Sequence, residues 1–161
     1  MGLSGAKPLP NPCQTPTMKQ DVSMQDQLVG AIEAGGTKFV CAVGSGAGAQ
    51  LRARAVFPTT EDPAEVLTRV TDWFAVQQKS LGKLAGLGIA SFGPVDLNPG
   101  SSTYGFITST PKPGWRNTNI LGAVRRVFPD VPIGFDTDVN GAALGEFVWG
   151  HGRGLEDFVY V

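Results

Sequence analysis

Histidine and cysteine are scarce in this sequence: His151 is its one imidazole, and Cys13 and Cys41 are its two thiols. Two cysteines build no disulfide framework, so a reducing compartment is the default setting. One histidine cannot assemble a zinc cluster with them. Charge of one sign is lacking too. With 13 basic and 14 acidic residues the formal net charge is −1, which leaves no broad electrostatic footprint for nucleic acid. An anionic small molecule stays open, because a loop of backbone N–H groups binds phosphate without net positive charge. No apolar run approaches the length of a membrane span.

What is present suits one soluble α/β domain. At 161 residues, 42% of them hydrophobic and 17% charged, the chain can bury a core without staples. Residues 1–26 are Pro-rich, polar and aperiodic, without the continuous apolar centre of a signal peptide. They read as a flexible extension, or as a misassigned start upstream of Met18 or Met24, with the domain beginning near Gln27.

Two short apolar runs, Leu28–Glu33 and Lys38–Val43, flank Ala34-Gly35-Gly36-Thr37, which fits a tight hairpin. Beyond a second turn, Leu51, Ala53, Ala55 and Phe57 recur at period two, giving a third strand of a meander. Asp62-Pro63-Ala64-Glu65 is a helix start, with an Asp cap, Pro at the first position and Glu three residues on. Val66, Leu67, Val70, Trp73 and Phe74 continue it at helical spacing to a stop at Gly82. A strand is expected over Leu84–Ala90, a helix over Ile120–Phe128, a strand over Val131–Asp136, a helix over Asn140–Trp149 and a last strand over Asp157–Val161. The passage from Asn98 to Trp115 has no strong period, and loops that long are more often functional than filler. The order βββαβαβαβ implies a mixed sheet with helices against it, the ribonuclease-H-like lobe of the actin-like ATPase fold.

Three groups of residues carry chemistry. In Glu33-Ala34-Gly35-Gly36-Thr37-Lys38, two glycines at a hairpin tip let amides approach an anion, and Thr37 and Lys38 add donors. Glu33, at the strand end, could hold a divalent cation directly or through water. The plainer reading is a ligand-free hairpin. In Asp136-Thr137-Asp138-Val139-Asn140, Asp138 stands where a strand gives way to a helix, as an N-cap or as a ligand-facing carboxylate, with Asp136 in competition. Ser91–Asp96 and Thr110–Trp115 are loops of Pro, Gly and hydrogen-bonding groups facing the same sheet edge. One pattern misleads: Gly44-Ser45-Gly46-Ala47-Gly48-Ala49 satisfies a dinucleotide fingerprint, but a period-two strand follows it instead of the helix that motif requires.

Taken together and in order, IEAGGTKFVCAV, SFGPVD, TYGFITSTPKPGW and FDTDVNGAALGEF resemble the ROK family of bacterial sugar kinases and repressors, within its fructokinase branch. The similarity runs from about Leu28 to Val161. It implies ATP-dependent phosphorylation of a hexose, with ATP and Mg²⁺ as cofactors. By the same resemblance Gly35, Gly36, Thr37 and Lys38 match the first phosphate-binding turn, and Asp138 matches the catalytic base. Gly93, Pro94, Lys112, Thr137 and Asn140 match positions near the sugar pocket; Glu146 lies in the same signature helix as Asn140. Glu33 and Lys112 depart from the Asp and Asn of many members in the direction of the fructokinase branch, so fructose, giving fructose 6-phosphate, is the expected substrate.

Family kinases have two lobes. The second brings another Gly-rich phosphate turn, the adenosine pocket, more sugar contacts and a His/Cys zinc site. The expectation is therefore that residues 27–161 form the N-terminal lobe alone, of a cytoplasmic enzyme that is a homodimer when complete, with no nucleic-acid or membrane partner. The alternatives are a non-catalytic lobe that at most binds sugar, or a fragment of a ROK repressor. The leader carries no helix-turn-helix pattern and no basic cluster, which weighs against the repressor.

Overall fold

A computed structural model describes residues 27–45, 50–157 and 159. Strands β1 (Leu28–Ala34), β2 (Lys38–Ser45) and β3 (Gln50–Pro58) form the meander, followed by helix α1 (Pro63–Leu81) and strand β4 (Leu84–Ser91). Two-residue strands β5 (Phe106–Ile107) and β6 (Thr118–Asn119) precede helix α2 (Ile120–Val127), strand β7 (Ile133–Thr137) and helix α3 (Asp138–Trp149). The main sheet has the order β3-β2-β1-β4-β7. β1 pairs antiparallel with β2 and parallel with β4, and β4 pairs parallel with β7. The carboxyl ends of β1, β4 and β7 and the β1–β2 turn therefore share one edge.

The period-two pattern of β1 decides which face is dry. Gly30, Ile32 and Ala34 are buried, and Val29, Ala31 and Glu33 are exposed. Against the buried side α1 presents Val66, Leu67, Val70 and Phe74, and α2 presents Ile120, Leu121 and Val124. Phe74 is fully enclosed and meets Trp73 and Phe128 edge to face, at ring separations of 4.8 and 6.5 Å. Asp62 caps α1 by accepting from the amides of Ala64 and Glu65, as the Asp-Pro-x-Glu pattern predicts. Cys41 lies in this core without exposure, and burial pushes its thiol up to about 12.

The architecture expected for a ribonuclease-H-like lobe is present, with three local differences. The passage from Asn98 to Trp115 contains β5, which pairs antiparallel with β6; two-residue strands are too short to show a period. Helix α3 starts at Asp138, two residues before the expected Asn140, because Thr137 supplies the cap. Leu51, read as a core-facing position of the third strand, is 61% exposed on the edge strand β3. The expected terminal strand falls mostly on residues outside those described, as do the leader 1–26 with Cys13 and the turn 46–49.

Candidate active site at the carboxyl edge of the sheet

The β1–β2 turn is held from one side by Thr59. Its amide donates to the Thr37 carbonyl (2.9 Å), and its hydroxyl donates to the Gly35 carbonyl (2.8 Å). The Gly35 amide closes the turn on the Lys38 carbonyl at 3.0 Å. Gly36, Thr37 and Lys38 are exposed, and among the described residues the amides of Gly36 and Thr37 have no acceptor. Two free amides at an exposed Gly-Gly tip form the kind of concavity that accepts a phosphate oxygen.

Three loops converge next to this turn on Trp115. Its indole is fully buried, 5.3 Å from the ring of Phe39 and 5.5 Å from that of Phe92, and its N–H donates to the Thr60 carbonyl at 2.7 Å. The Phe92 amide donates to the Ala34 carbonyl, which draws the loop carrying Gly93 and Pro94 against the end of β1. The Pro94 carbonyl accepts from both the amide and the hydroxyl of Thr108 (2.8 and 3.0 Å), at the start of the segment bearing Lys112. Gly114 has a φ of 79°, and a Cβ there would run into the Glu61 carbonyl, so only glycine lets this segment lie so close to the β3–α1 junction.

On the opposite face, a cleft of about 730 Å³ opens between the sheet and α3. Ala31, Gly88 and Gly134 are among the residues of its floor, and Glu33, Asp136 and Asp138 supply its carboxylates. Glu33, Ala90 and Asp136 stand in one register row across β1, β4 and β7. The strand spacing puts the Cα atoms of the two acids roughly 10 Å apart on one face. α3 lies close because Gly141 has no side chain: a Cβ there would be 2.6 Å from that of Ala90. The volume is within the usual range for small-molecule pockets.

The start of α3 is tied by four hydrogen bonds. Thr137, not Asp138, is the cap, its hydroxyl oxygen accepting from the Asn140 amide at 3.0 Å. Half-buried Asp138 accepts from the Val139 amide at 2.9 Å through one oxygen, leaving the other carboxylate oxygen for the cleft. Asp136 accepts from the Asn140 side-chain amide and the Thr137 amide, both at 2.7 Å. Asn140 thus keeps its carbonyl oxygen as an acceptor.

The structure therefore collects the sequence-derived residues into two neighbouring sets: Gly35–Lys38, Gly93, Pro94 and Lys112 around Trp115, and Glu33, Asp138, Thr137 and Asn140 around the cleft. Among the described residues no hydrogen bond or ion pair joins Lys112 to Asp138. Glu146, further along α3, accepts from the His151 amide at 3.0 Å. Sequence reasoning missed Thr59, because its partners are more than twenty positions away, and the role of Trp115, whose Pro/Gly context reads as loop. Asp136 was visible as a second carboxylate, but its grip on Asn140 was not.

The Gly35–Lys38 tip suits a phosphate. Among the described residues no group of three or more metal-ligating side chains occurs; a cation at Glu33 would take most of its ligands from phosphates and water. Among the same residues no helix is long and apolar enough to cross a membrane.

The chain is 44% identical over 134 residues to the fructokinase of Pediococcus pentosaceus, covering 83% of this chain and 44% of that one. It is 46% identical over 122 residues to the fructokinase of Streptococcus mutans, covering 76% and 40%. The chain thus spans less than half the length of these relatives. A ROK family glucokinase from Streptomyces griseus, solved with glucose and AMPPNP, superposes with a TM-score of 0.65 at 22% identity, covering 79% of this chain and 38% of that one; at that identity the likeness establishes the fold. Residues 29–161 match the ROK family. The chain belongs to the ROK family.

Proposed function

We propose that residues 27–161 are the N-terminal lobe of an ATP-dependent fructokinase, and that Asp138 is its general base. The observation that carries this reading is the shared sheet edge: a phosphate-sized tip with free amides at Gly36 and Thr37 adjoins a cleft walled by Asp138. The names of the relatives support the reaction class and fructose as substrate. The departures at Glu33 and Lys112 favour fructose over glucose.

In this mechanism Asn140, Thr137 and the Gly93-Pro94 and Lys112 segments bind and orient the sugar at the carboxyl edge of the sheet, beside the cleft. Asp138 accepts the proton of the 6-hydroxyl as its oxygen bonds to the γ-phosphorus and the bond to the β-phosphate oxygen breaks, yielding fructose 6-phosphate and ADP. The amides of Gly36 and Thr37, with Lys38, hold phosphate oxygens. Glu33 would hold Mg²⁺ directly or through water, and the ion would supply charge neutralisation at the phosphates. Positioning and charge stabilisation supply most of the rate in such transfers.

The test is phosphorylation of fructose, with glucose and mannose alongside, in the presence of ATP and Mg²⁺, using the longest product of the gene. Fructose is expected to turn over fastest, and Asp138→Asn to lower turnover roughly 10²–10⁴-fold with sugar binding retained. Near-normal turnover in Asp138→Asn removes that residue from the mechanism, and a preference for glucose overturns the substrate. Fructose binding without turnover makes this a sugar-binding lobe instead.

A further inference from the structure

We infer that Thr59 is the positioning residue of the phosphate turn, aiming its amides from behind without touching the ligand. The inference rests on the reading of Gly35–Lys38 as a phosphate site. A trans peptide points its carbonyl and its N–H in opposite directions, and the Gly35–Gly36 peptide is trans. Fixing the Gly35 carbonyl onto the Thr59 hydroxyl at 2.8 Å therefore fixes the Gly36 N–H on the opposite side, away from the β3–α1 junction. The Thr59 amide ties the Thr37 carbonyl at 2.9 Å, so the exposed tip is held at both ends by one residue.

Two observations distinguish this from an ordinary loop contact. Thr59 is only 7% exposed whereas Gly36, Thr37 and Lys38 are exposed, so a rigid, dry anchor holds a wet tip. Gly36 can also reach many backbone angles, and nothing lies within 4 Å of where its Cβ would be; without the tether, its amide direction would be one of many. The next residue carries the same logic to the sugar side, since the Thr60 carbonyl holds the Trp115 indole. The β3–α1 junction thus seats both the phosphate turn and the Lys112 segment.

Thr59→Val keeps the β-branched shape and the backbone amide but removes the hydroxyl donor; Thr59→Ser keeps the donor. The experiment uses ¹⁵N-labelled 161-residue chain, following the amide signals of residues 35–38 for order without ligand and then during titration with Mg²⁺·ATP. In the wild type, Gly36 and Thr37 are expected to shift saturably. Thr59→Val should loosen residues 35–38 alone and weaken Mg²⁺·ATP at least about tenfold, with Thr59→Ser within about twofold of wild type. If Thr59→Val does not fold, Thr59→Ala is read in the same way. An ordered turn with unchanged affinity in the folded valine or alanine variant overturns the inference, as does failure of Thr59→Ser to restore binding. A turn that loosens in Thr59→Val while wild-type Gly36 and Thr37 ignore Mg²⁺·ATP overturns the phosphate reading itself and leaves Thr59 a structural tether only.

Discussion

Asp138 and Cys41 show how position decides what a reactive side chain does. Asp138 stands at the first turn of α3 with its cap duty taken over by Thr137, so only the oxygen that accepts from the Val139 amide is spent on the helix. Cys41 is the reverse: with no exposure and burial pushing its thiol to about 12, it lacks the thiolate that reacts. Iodoacetamide at pH 8 should leave Cys41 unmodified in the folded chain and label it in denaturant, as peptide mapping would show; rapid labelling of the native protein would contradict the burial. The sign of the pH effect follows. The unfolded thiol ionises near 9.0 whereas the folded one stays neutral, so this group costs stability as pH rises above about 9. Asp96 works at the other end of the scale. The hydroxyls of Ser101 and Thr103 and the amide of Asn98 hold its carboxyl below the usual range, so the order it gives the 96–103 loop is present above that range and lost in strong acid.

Among the elements, α3 walls the candidate cleft and does little for the core. It buries no residue fully, and its approach to the sheet depends on Gly141 against Ala90. Gly141→Val should push the first turn of α3 outward, lowering fructose turnover more than about tenfold while far-UV circular dichroism stays near wild type; unchanged turnover would show that the cleft tolerates a shifted helix. What the sequence revealed of the elements follows the same physics. β1, β2, β4 and α1 were legible because short apolar runs, an Asp-Pro start and a Gly stop act locally. The β5–β6 pair was not, since two residues carry no period, and Trp115 read as part of a Pro/Gly loop although it is among the most buried side chains. At the site, Glu33, Asp136 and Asp138 stood out as carboxylates at strand ends. Thr59 did not, because a tether 24 positions from Gly35 leaves no mark on local spacing.

For the molecule as a whole, one dry face of the sheet supplies rigidity and the edge above it supplies chemistry. Phe74, enclosed between Trp73 and Phe128, is the natural point at which to test the first half. Phe74→Ala should cost about 3–5 kcal/mol of stability, seen as a lowered urea midpoint; a loss below about 1 kcal/mol would mean the α1–α2 core collapses to fill the gap. The two halves are mechanically linked by the parallel run of β1, β4 and β7, with Glu33 and Asp136 at the carboxyl ends of β1 and β7. β1 has seven residues, a lever arm of roughly 23 Å at the usual rise per residue. A tilt of about 5° pivoted at its amino end displaces Glu33 by roughly 1.4 Å and the adjoining turn by roughly 2 Å, more than the roughly 1 Å misplacement that can cost a hundredfold in rate. Stiffness of the buried face is in that sense a tolerance on aim: small losses of packing far from the cleft arrive at it magnified by the length of the strands.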